Sequence, residues 1–297
     1  MHIQPSLPLW PSATGPIRPD VTPDTVELTD ETPKGTPPSG FVETAARKPQ
    51  VFTVAALIVT VIAAWIYLFK APMPGSMDGD GMAGMAGMSA TALSSWGWTE
   101  ALLLFAMWSV MMVAMMLPSA APMILLFSRI GATRRARGDR NTPVIFFAVG
   151  YLAVWTAFSA VAASIQWNLH SLAVLSPEMR VASPFASAAI LIAAGVYQWL
   201  PLKQSCLSHC RSPLGFLSTS WREGHGGAVR MGITHGAFCL GCCWMIMALL
   251  FVAGVMNLAW VAALSAVVLL EKIVPGGPVV ARVAGVLFIV AGVSLLF

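Results

Sequence analysis

The stretch "GITHGAFCLGCCWMIMALLFVAGV", residues 232–255, decides the fold class of this chain. It contains no lysine, arginine, aspartate or glutamate. A helix needs about 20 apolar residues to cross the hydrocarbon core of a bilayer, and this stretch provides them. Its first half also carries one histidine and three cysteines, so the same segment predicts a transmembrane helix and a candidate site on it.

The composition of the whole chain agrees with a protein that is surrounded by a lipid bilayer. Of its 297 residues, 57% are hydrophobic and 10% are charged, whereas a soluble protein carries about 25% charged residues. The apolar runs are long and do not alternate, which disfavours a β-barrel. The net charge is +4 and no basic patch is interleaved with aromatic residues, so a nucleic-acid partner is not expected.

Seven apolar segments predict an all-α fold, a polytopic transmembrane helical bundle. They cover about residues 51–69, 101–127, 143–165, 184–202, 232–255, 257–274 and 279–297. The sixth segment fits a transmembrane helix least well, because Glu271 and Lys272 are ionisable and lie in its last turn. Six spans with one re-entrant segment is therefore the alternative count.

The sequence pattern divides the chain into four regions. Residues 1–50 contain ten prolines and few large aliphatic side chains, which predicts a disordered tail. Residues 51–69 form the first predicted transmembrane helix, and residues 70–99 a loop rich in methionine and glycine. Residues 100–297 form a predicted six-helix membrane domain that contains the cysteines and most of the histidines.

The positive charges predict the orientation, because short loops rich in lysine and arginine stay in the cytoplasm. The loop after the second predicted span and the loop after the fourth hold most of these charges: Arg129, Arg134, Arg135, Arg137 and Arg140, then Lys203, Arg211, Arg222 and Arg230. The loops between them are nearly empty of positive charge. This pattern predicts a cytoplasmic N-terminus in a bacterial inner membrane, with residues 70–99 on the outside.

Two groups of methionines are candidate ligands for a soft ion, and Cu(I) is the ion that prefers thioethers. The first group lies in the glycine-rich external loop: Met77, Met82, Met85 and Met88. The second occupies one broad face of the second predicted span: Met111, Met112, Met115 and Met116. The alternatives are that the loop methionines are fillers and that the helical methionines only pack.

The five cysteines and two of the five histidines predict a second candidate site, on the cytoplasmic side. Cys206, His209 and Cys210 follow an i, i+3, i+4 spacing, and His235, Cys239, Cys242 and Cys243 form one helical stripe. Together these residues would supply a tetrahedral site for Cu(I), Zn(II) or an iron–sulfur centre. A redox-active dithiol at Cys239 and Cys242, or simple packing, are the alternatives, and disulfides are disfavoured in a reducing compartment.

Four further residues carry expectations about packing. Gly232 and Gly236 form a small-xxx-small pair that lets another helix approach closely. Glu271 is expected to find a partner in a loop arginine or in the metal site, because an ionisable group near hydrocarbon is costly. Lys272 is expected to extend its amino group to the membrane interface.

Four motifs occur in this order along the chain: "MWSVMMVAMMLPSAAPMILLF", "GVYQWLPLKQSCLSHCRSPLGFL", "GITHGAFCLGCCWMIMALLFVAGVMNLAW" and "EKIVPGG". Together they resemble a bacterial family of predicted metal-binding integral membrane proteins, classed as a domain of unknown function. The resemblance covers about residues 95–297 and implies an α-helical membrane protein with a metal role. It implies this role for the residues within the motifs: Cys206, His209, Cys210, His235, Cys239, Cys242 and Cys243.

These observations predict a membrane protein that binds a soft transition metal, with copper favoured over zinc because of the thioethers. It would transport the ion or deliver it to a periplasmic copper-binding partner or a larger membrane complex. A membrane thiol or metal oxidoreductase subunit is the alternative from another class, and a purely structural subunit is the third. Enzymatic activity is not favoured.

Overall fold

The computed structural model describes residues 39–70, 97–172 and 180–297. Every regular element in these ranges is an α-helix, in agreement with the predicted fold class. The helices are α1 Ser39–Lys70, α2 Trp98–Ala136, α3 Val144–Ser171, α4 Pro184–Tyr197, α5 Pro201–Arg211, α6 Pro213–Ser220, α7 Gly224–Ala248, α8 Leu250–Ala253, α9 Leu258–Ile273 and α10 Gly277–Ser294. Most of the predicted tail and loop, including Met77, Met82, Met85 and Met88, lie outside the described residues.

Helices occur at all seven predicted positions, but fewer of them have the length of a span. Among the described residues, five helices are long and apolar enough to cross a membrane: α1 from residue 50 onward, α2, α3, α7 continued by α8, and α10. The pair α4 and α5, bent by 63°, would be a sixth. The predicted span at 257–274 corresponds to α9, whose 16 residues fall short of the roughly 20 that a crossing needs.

Local sequence signals explain why α4 and α5 are separate helices and why α9 is short. Pro201 opens α5, and the residue before a proline is disfavoured in helical conformation, so α4 and α5 are separated at Leu200. Asn257 caps the start of α9 by accepting a hydrogen bond from the Trp260 amide. The sequence Val274–Pro275–Gly276 follows the end of α9 and prevents the helix from continuing. The predicted segments 184–202 and 257–274 therefore do not form single straight helices of spanning length.

Helix α3 packs against both α2 and α7, and buried side chains of all three helices lie at these contacts. A Cβ atom on Gly232 would collide with the Phe147 carbonyl oxygen, and one on Gly150 with the Val229 carbonyl oxygen. The backbones of α3 and α7 are therefore in direct contact, and Gly232 and Gly236 lie on that contact as their spacing predicts. This contact fixes the α7 stripe that carries His235.

The two arginine-rich loops lie at the same end of the bundle. Arg134 is 3.5 Å from the Glu223 carboxylate and 4.8 Å above the Trp221 ring. The Gly224 amide donates to Thr142 Oγ1 at 3.2 Å. The ends of α2 and α7 that carry positive charge therefore meet, as the predicted orientation requires, although the side of the membrane itself stays a prediction.

Candidate metal centre

Helix α7 carries one histidine and three cysteines into the interior of the bundle. Cys239, Cys242 and Cys243 are at most 1% exposed and His235 is 2% exposed. The helix begins at Gly224, ahead of the predicted start at residue 232. The first turns of α7, before residue 232, are polar and precede the apolar run. The cysteines therefore lie well inside a long helix and not at its N-terminal end.

Four thiols and one thioether from three helices come together at this point. The Cys210 thiol, on α5, interacts with the thiols of Cys239 and Cys242. The Cys243 thiol interacts with the same two cysteines, and its Sγ lies 3.9 Å from Met116 Sδ on α2. We call these five residues, Cys210, Cys239, Cys242, Cys243 and Met116, the sulfur cluster.

Two of these thiols are hydrogen-bonded to the backbone of their own helix. Cys242 Sγ donates to the Cys239 carbonyl oxygen at 3.1 Å, and Cys243 Sγ donates to the same oxygen at 2.9 Å. All five cysteines of the chain are free thiols. Two thiols of the sulfur cluster are therefore turned towards a backbone carbonyl group.

The Lys272 amino group lies inside this cluster. It donates to Cys239 Sγ at 2.9 Å and to Ser119 Oγ at 3.1 Å, and the residue is 8% exposed. The expectation that Lys272 extends to the membrane interface is wrong. Lys272 is directed inward because a hydroxyl group on α2 and a thiol on α7 receive its ammonium group.

Tyr151 and Ser119 link Cys239 and Lys272 through a backbone carbonyl group of α2. Tyr151 Oη hydrogen-bonds with Cys239 Sγ at 3.1 Å and donates to the Met116 carbonyl oxygen at 3.1 Å. Ser119 Oγ donates to that carbonyl at 2.9 Å. Lys272, Cys239, Tyr151, the Met116 carbonyl and Ser119 thus form a closed ring of hydrogen bonds.

A buried ion pair fastens α5, which carries Cys210, to α9. Lys203 Nζ donates to Glu271 Oε2 at 2.7 Å, and Gln198 Nε2 donates to Glu271 Oε1 at 3.1 Å. Arg211 Nη1 donates to the Glu271 and Val274 carbonyl oxygens, both at 2.6 Å. The partner of the Glu271 carboxylate is therefore Lys203, whereas the expectation was a loop arginine or the metal site.

His235 lies beside the sulfur cluster with a nitrogen that no protein group satisfies. Its ring is surrounded by those of Phe147, Tyr151 and Phe216, with centroids between 5.7 and 6.0 Å away. Its Nδ1 atom is buried and has no hydrogen-bond partner. Because buried polar atoms are nearly always paired, this nitrogen is a candidate for a ligand that the protein itself does not supply.

The other predicted ligands lie away from this point. His209 is exposed, its Nδ1 is 2.8 Å from the Ser205 carbonyl oxygen, and its ring stacks on Phe238. Cys206 is half-buried against Gly241, at the edge of the cluster. Of the predicted α2 methionines, Met116 contacts a thiol, while the others lie in the packed core: Met111, Met112 and Met115.

The comparisons with known proteins identify a family. Residues 105–295 match the model of the PpoB2 copper chaperone family. The chain belongs to this copper chaperone family. The match includes every residue of the sulfur cluster together with Tyr151 and Lys272. No curated protein and no solved structure matches the chain.

The donor chemistry of the site suits the cargo of a copper chaperone. Thiolates and thioethers are the ligands that select Cu(I), and His235 offers an additional unpaired nitrogen. Within the described parts of the chain, no three His, Cys, Asp or Glu side chains form a set that could hold a metal ion. The thiols would first have to leave their present partners, the Cys239 carbonyl and the Lys272 ammonium.

Proposed function

We propose that this copper chaperone family member is an integral protein of the bacterial inner membrane that binds Cu(I) at the sulfur cluster and delivers it to a partner protein. The observation that carries the proposal is that four thiols and a thioether meet between α2, α5 and α7, where Cys239, Cys242, Cys243 and Met116 are buried and Cys210 is half-buried. The five or six helices of spanning length support the membrane location.

The thiols of the sulfur cluster bind the ion in this proposal. Ligand thiols lose their protons when they bind a metal, so copper affinity falls as the pH is lowered. Cys239 is the central ligand, because it interacts with Cys210 and Cys243 and lies one helical turn from His235. Met116 adds a thioether next to Cys243, which favours copper over zinc.

A route to the cluster follows from the methionines. Met77, Met82, Met85 and Met88 capture Cu(I) outside, and the buried methionines of α2 pass it inward to Met116. The recipient is a copper-binding protein or a larger membrane complex that offers thiol or thioether ligands. Delivery then proceeds by exchange of sulfur ligands and needs no nucleotide.

Copper stoichiometry of the purified protein tests the proposal. Protein prepared in mild detergent with Cu(I) should contain bound copper, and X-ray absorption should show sulfur ligands. Replacing Cys239 and Cys242 together with serine should abolish stoichiometric copper, because the cluster loses two of its four thiols. Protein folding is checked by circular dichroism.

Cys206→Ser is the matched control for this experiment. Cys206 lies one turn before Cys210 on α5, at the edge of the cluster, so its replacement should leave copper binding nearly unchanged. Full copper retention in the double variant would contradict the proposal. Reversible thiol oxidation in a protein that takes up no copper would favour the oxidoreductase instead.

A further inference from the structure

Lys272 places a positive charge where the proposed cargo, itself a cation, has to bind. Its amino group donates to Cys239 Sγ and Ser119 Oγ, both in the interior of the bundle. The adjacent carboxylate, that of Glu271, is already hydrogen-bonded to Lys203 and Gln198. The group that faces the Lys272 charge is therefore the sulfur cluster.

A buried ammonium group in a membrane protein is costly unless an opposite charge offsets it. When thiols bind a metal they become thiolates, and a site with more thiolates than the ion has charges is negative overall. Lys272 offsets one unit of that negative charge at the distance of a hydrogen bond. It therefore supports a loaded site whose own net charge is close to minus one.

The same ammonium group discriminates between ions of different charge. For any given set of ligands, Zn(II) brings one more positive charge than Cu(I) to a position beside Lys272. Repulsion between neighbouring charges is strong where the dielectric constant is low. Lys272 stabilises the thiolates equally for both ions, so this effect cancels in the ratio of Cu(I) to Zn(II) affinity. The stronger repulsion between Lys272 and the divalent ion does not cancel, and it lowers the affinity for Zn(II).

We propose that Lys272 is a specificity-determining residue that makes the sulfur cluster select a monovalent soft cation over a divalent one. The inference rests on the proposed function, since it concerns the same site. In this proposal the charge of Lys272, the lysine of the "EKIVPGG" motif, affects which ion binds, and its hydrogen bonds with Ser119 and Cys239 hold it in place.

Competition between Cu(I) and Zn(II) tests this role. The affinities of the detergent-purified full chain for each ion are measured against chelators of known affinity. Lys272→Met keeps the length of the side chain and removes its charge. The ratio of Cu(I) to Zn(II) affinity should fall by about tenfold or more, because one full charge next to the ion is removed.

Two control variants separate charge from packing. Lys272→Arg keeps the charge and should keep most of the ratio of Cu(I) to Zn(II) affinity. Arg230→Gln removes one positive charge from an exposed position of α7 and should leave this ratio unchanged. If Lys272→Met does not fold, Lys272→Gln tests the same loss of charge with a polar side chain.

An unchanged affinity ratio in Lys272→Met or Lys272→Gln would overturn the inference while leaving the proposed function intact. Loss of copper in the Cys239 and Cys242 double variant is judged separately and concerns the proposed function alone. A wild-type protein that prefers Zn(II) over Cu(I) at this cluster would overturn both.

Discussion

The ion pair between Lys203 and Glu271 is the most completely buried pair of opposite charges in the described residues. Its side chains are 0% and 2% exposed, and their nearest atoms are 2.7 Å apart. A buried pair gains little over apolar residues of the same size, because removing both charges from water is costly. Loss of one partner is different, since it leaves the other charge buried without compensation.

Glu271→Gln should therefore destabilise the protein by about 3–5 kcal/mol, because the Lys203 ammonium loses its counter-charge. The measurement is thermal or denaturant unfolding in detergent. The double variant Lys203→Met with Glu271→Gln should recover much of this loss, since no unpaired charge remains. Equal destabilisation by the single and the double variant would show that shape, and not charge, accounts for the role of the pair.

The residues of the site differ in how far the sequence predicts them. The α7 stripe from His235 to Cys243 follows from helical spacing alone, and the structure buries all of it. Lys272 is visible as an ionisable residue in an apolar segment, but its partner Ser119 lies on another helix far away in the chain. Tyr151 carries no signal of its own, because a single tyrosine in an apolar segment belongs to no ligand spacing. Only tertiary packing brings Lys272 and Tyr151 to Cys239, and Ser119 to Lys272.

At the scale of the helices, the contact between α3 and α7 positions the site. It is formed by backbone atoms, because glycines on both helices replace side chains at the crossing. Such close approach is typical of small residues spaced four apart in membrane helices. Tyr151 on α3 and Cys239 on α7 are brought within hydrogen-bonding distance by the same contact.

Gly232→Ala should push α3 and α7 apart, because the new methyl group would meet the Phe147 carbonyl oxygen. Overpacking of this kind costs about 1–3 kcal/mol, and unfolding in detergent measures it. Copper affinity should fall as well, since the Tyr151–Cys239 hydrogen bond is stretched. Gly226→Ala is the matched control on the same helix: a Cβ atom there meets nothing within 4 Å, so no loss of stability is expected. Equal stability of both variants would refute the close contact.

The positions of the helices follow from apolar runs in the sequence, whereas their ends do not. Hydropathy places a helix at each of the seven predicted segments, because burial in lipid or in the core requires apolar side chains. It misses that α7 starts at Gly224 and that α1 starts at Ser39, since both helices extend into polar sequence. It also counts α9 as a span, although local caps limit that helix to 16 residues.

At the scale of the whole molecule, the length of α2 bears on the proposed membrane location. With 39 residues and a rise of about 1.5 Å per residue, it is about 58 Å long, which exceeds the thickness of a bilayer with its headgroups. Its two ends must therefore lie on opposite sides if it crosses. One end carries Glu100 in its first turn and the other carries Arg134 and Arg135 in its last turn.

The positive charge at the C-terminal end of α2 predicts that this end is cytoplasmic. Single cysteines at the exposed positions Glu100 and Arg140, in a variant with all five native cysteines replaced by serine, test this orientation. In intact cells, an impermeant maleimide should label Glu100→Cys and leave Arg140→Cys unlabelled until the membrane is permeabilised. The reverse pattern would place the arginine-rich loops outside, and labelling of both positions in intact cells would mean that α2 does not cross the membrane. Either result would also remove the proposed route for copper, because that route requires the N-terminal end of α2 to face the side from which the ion is captured.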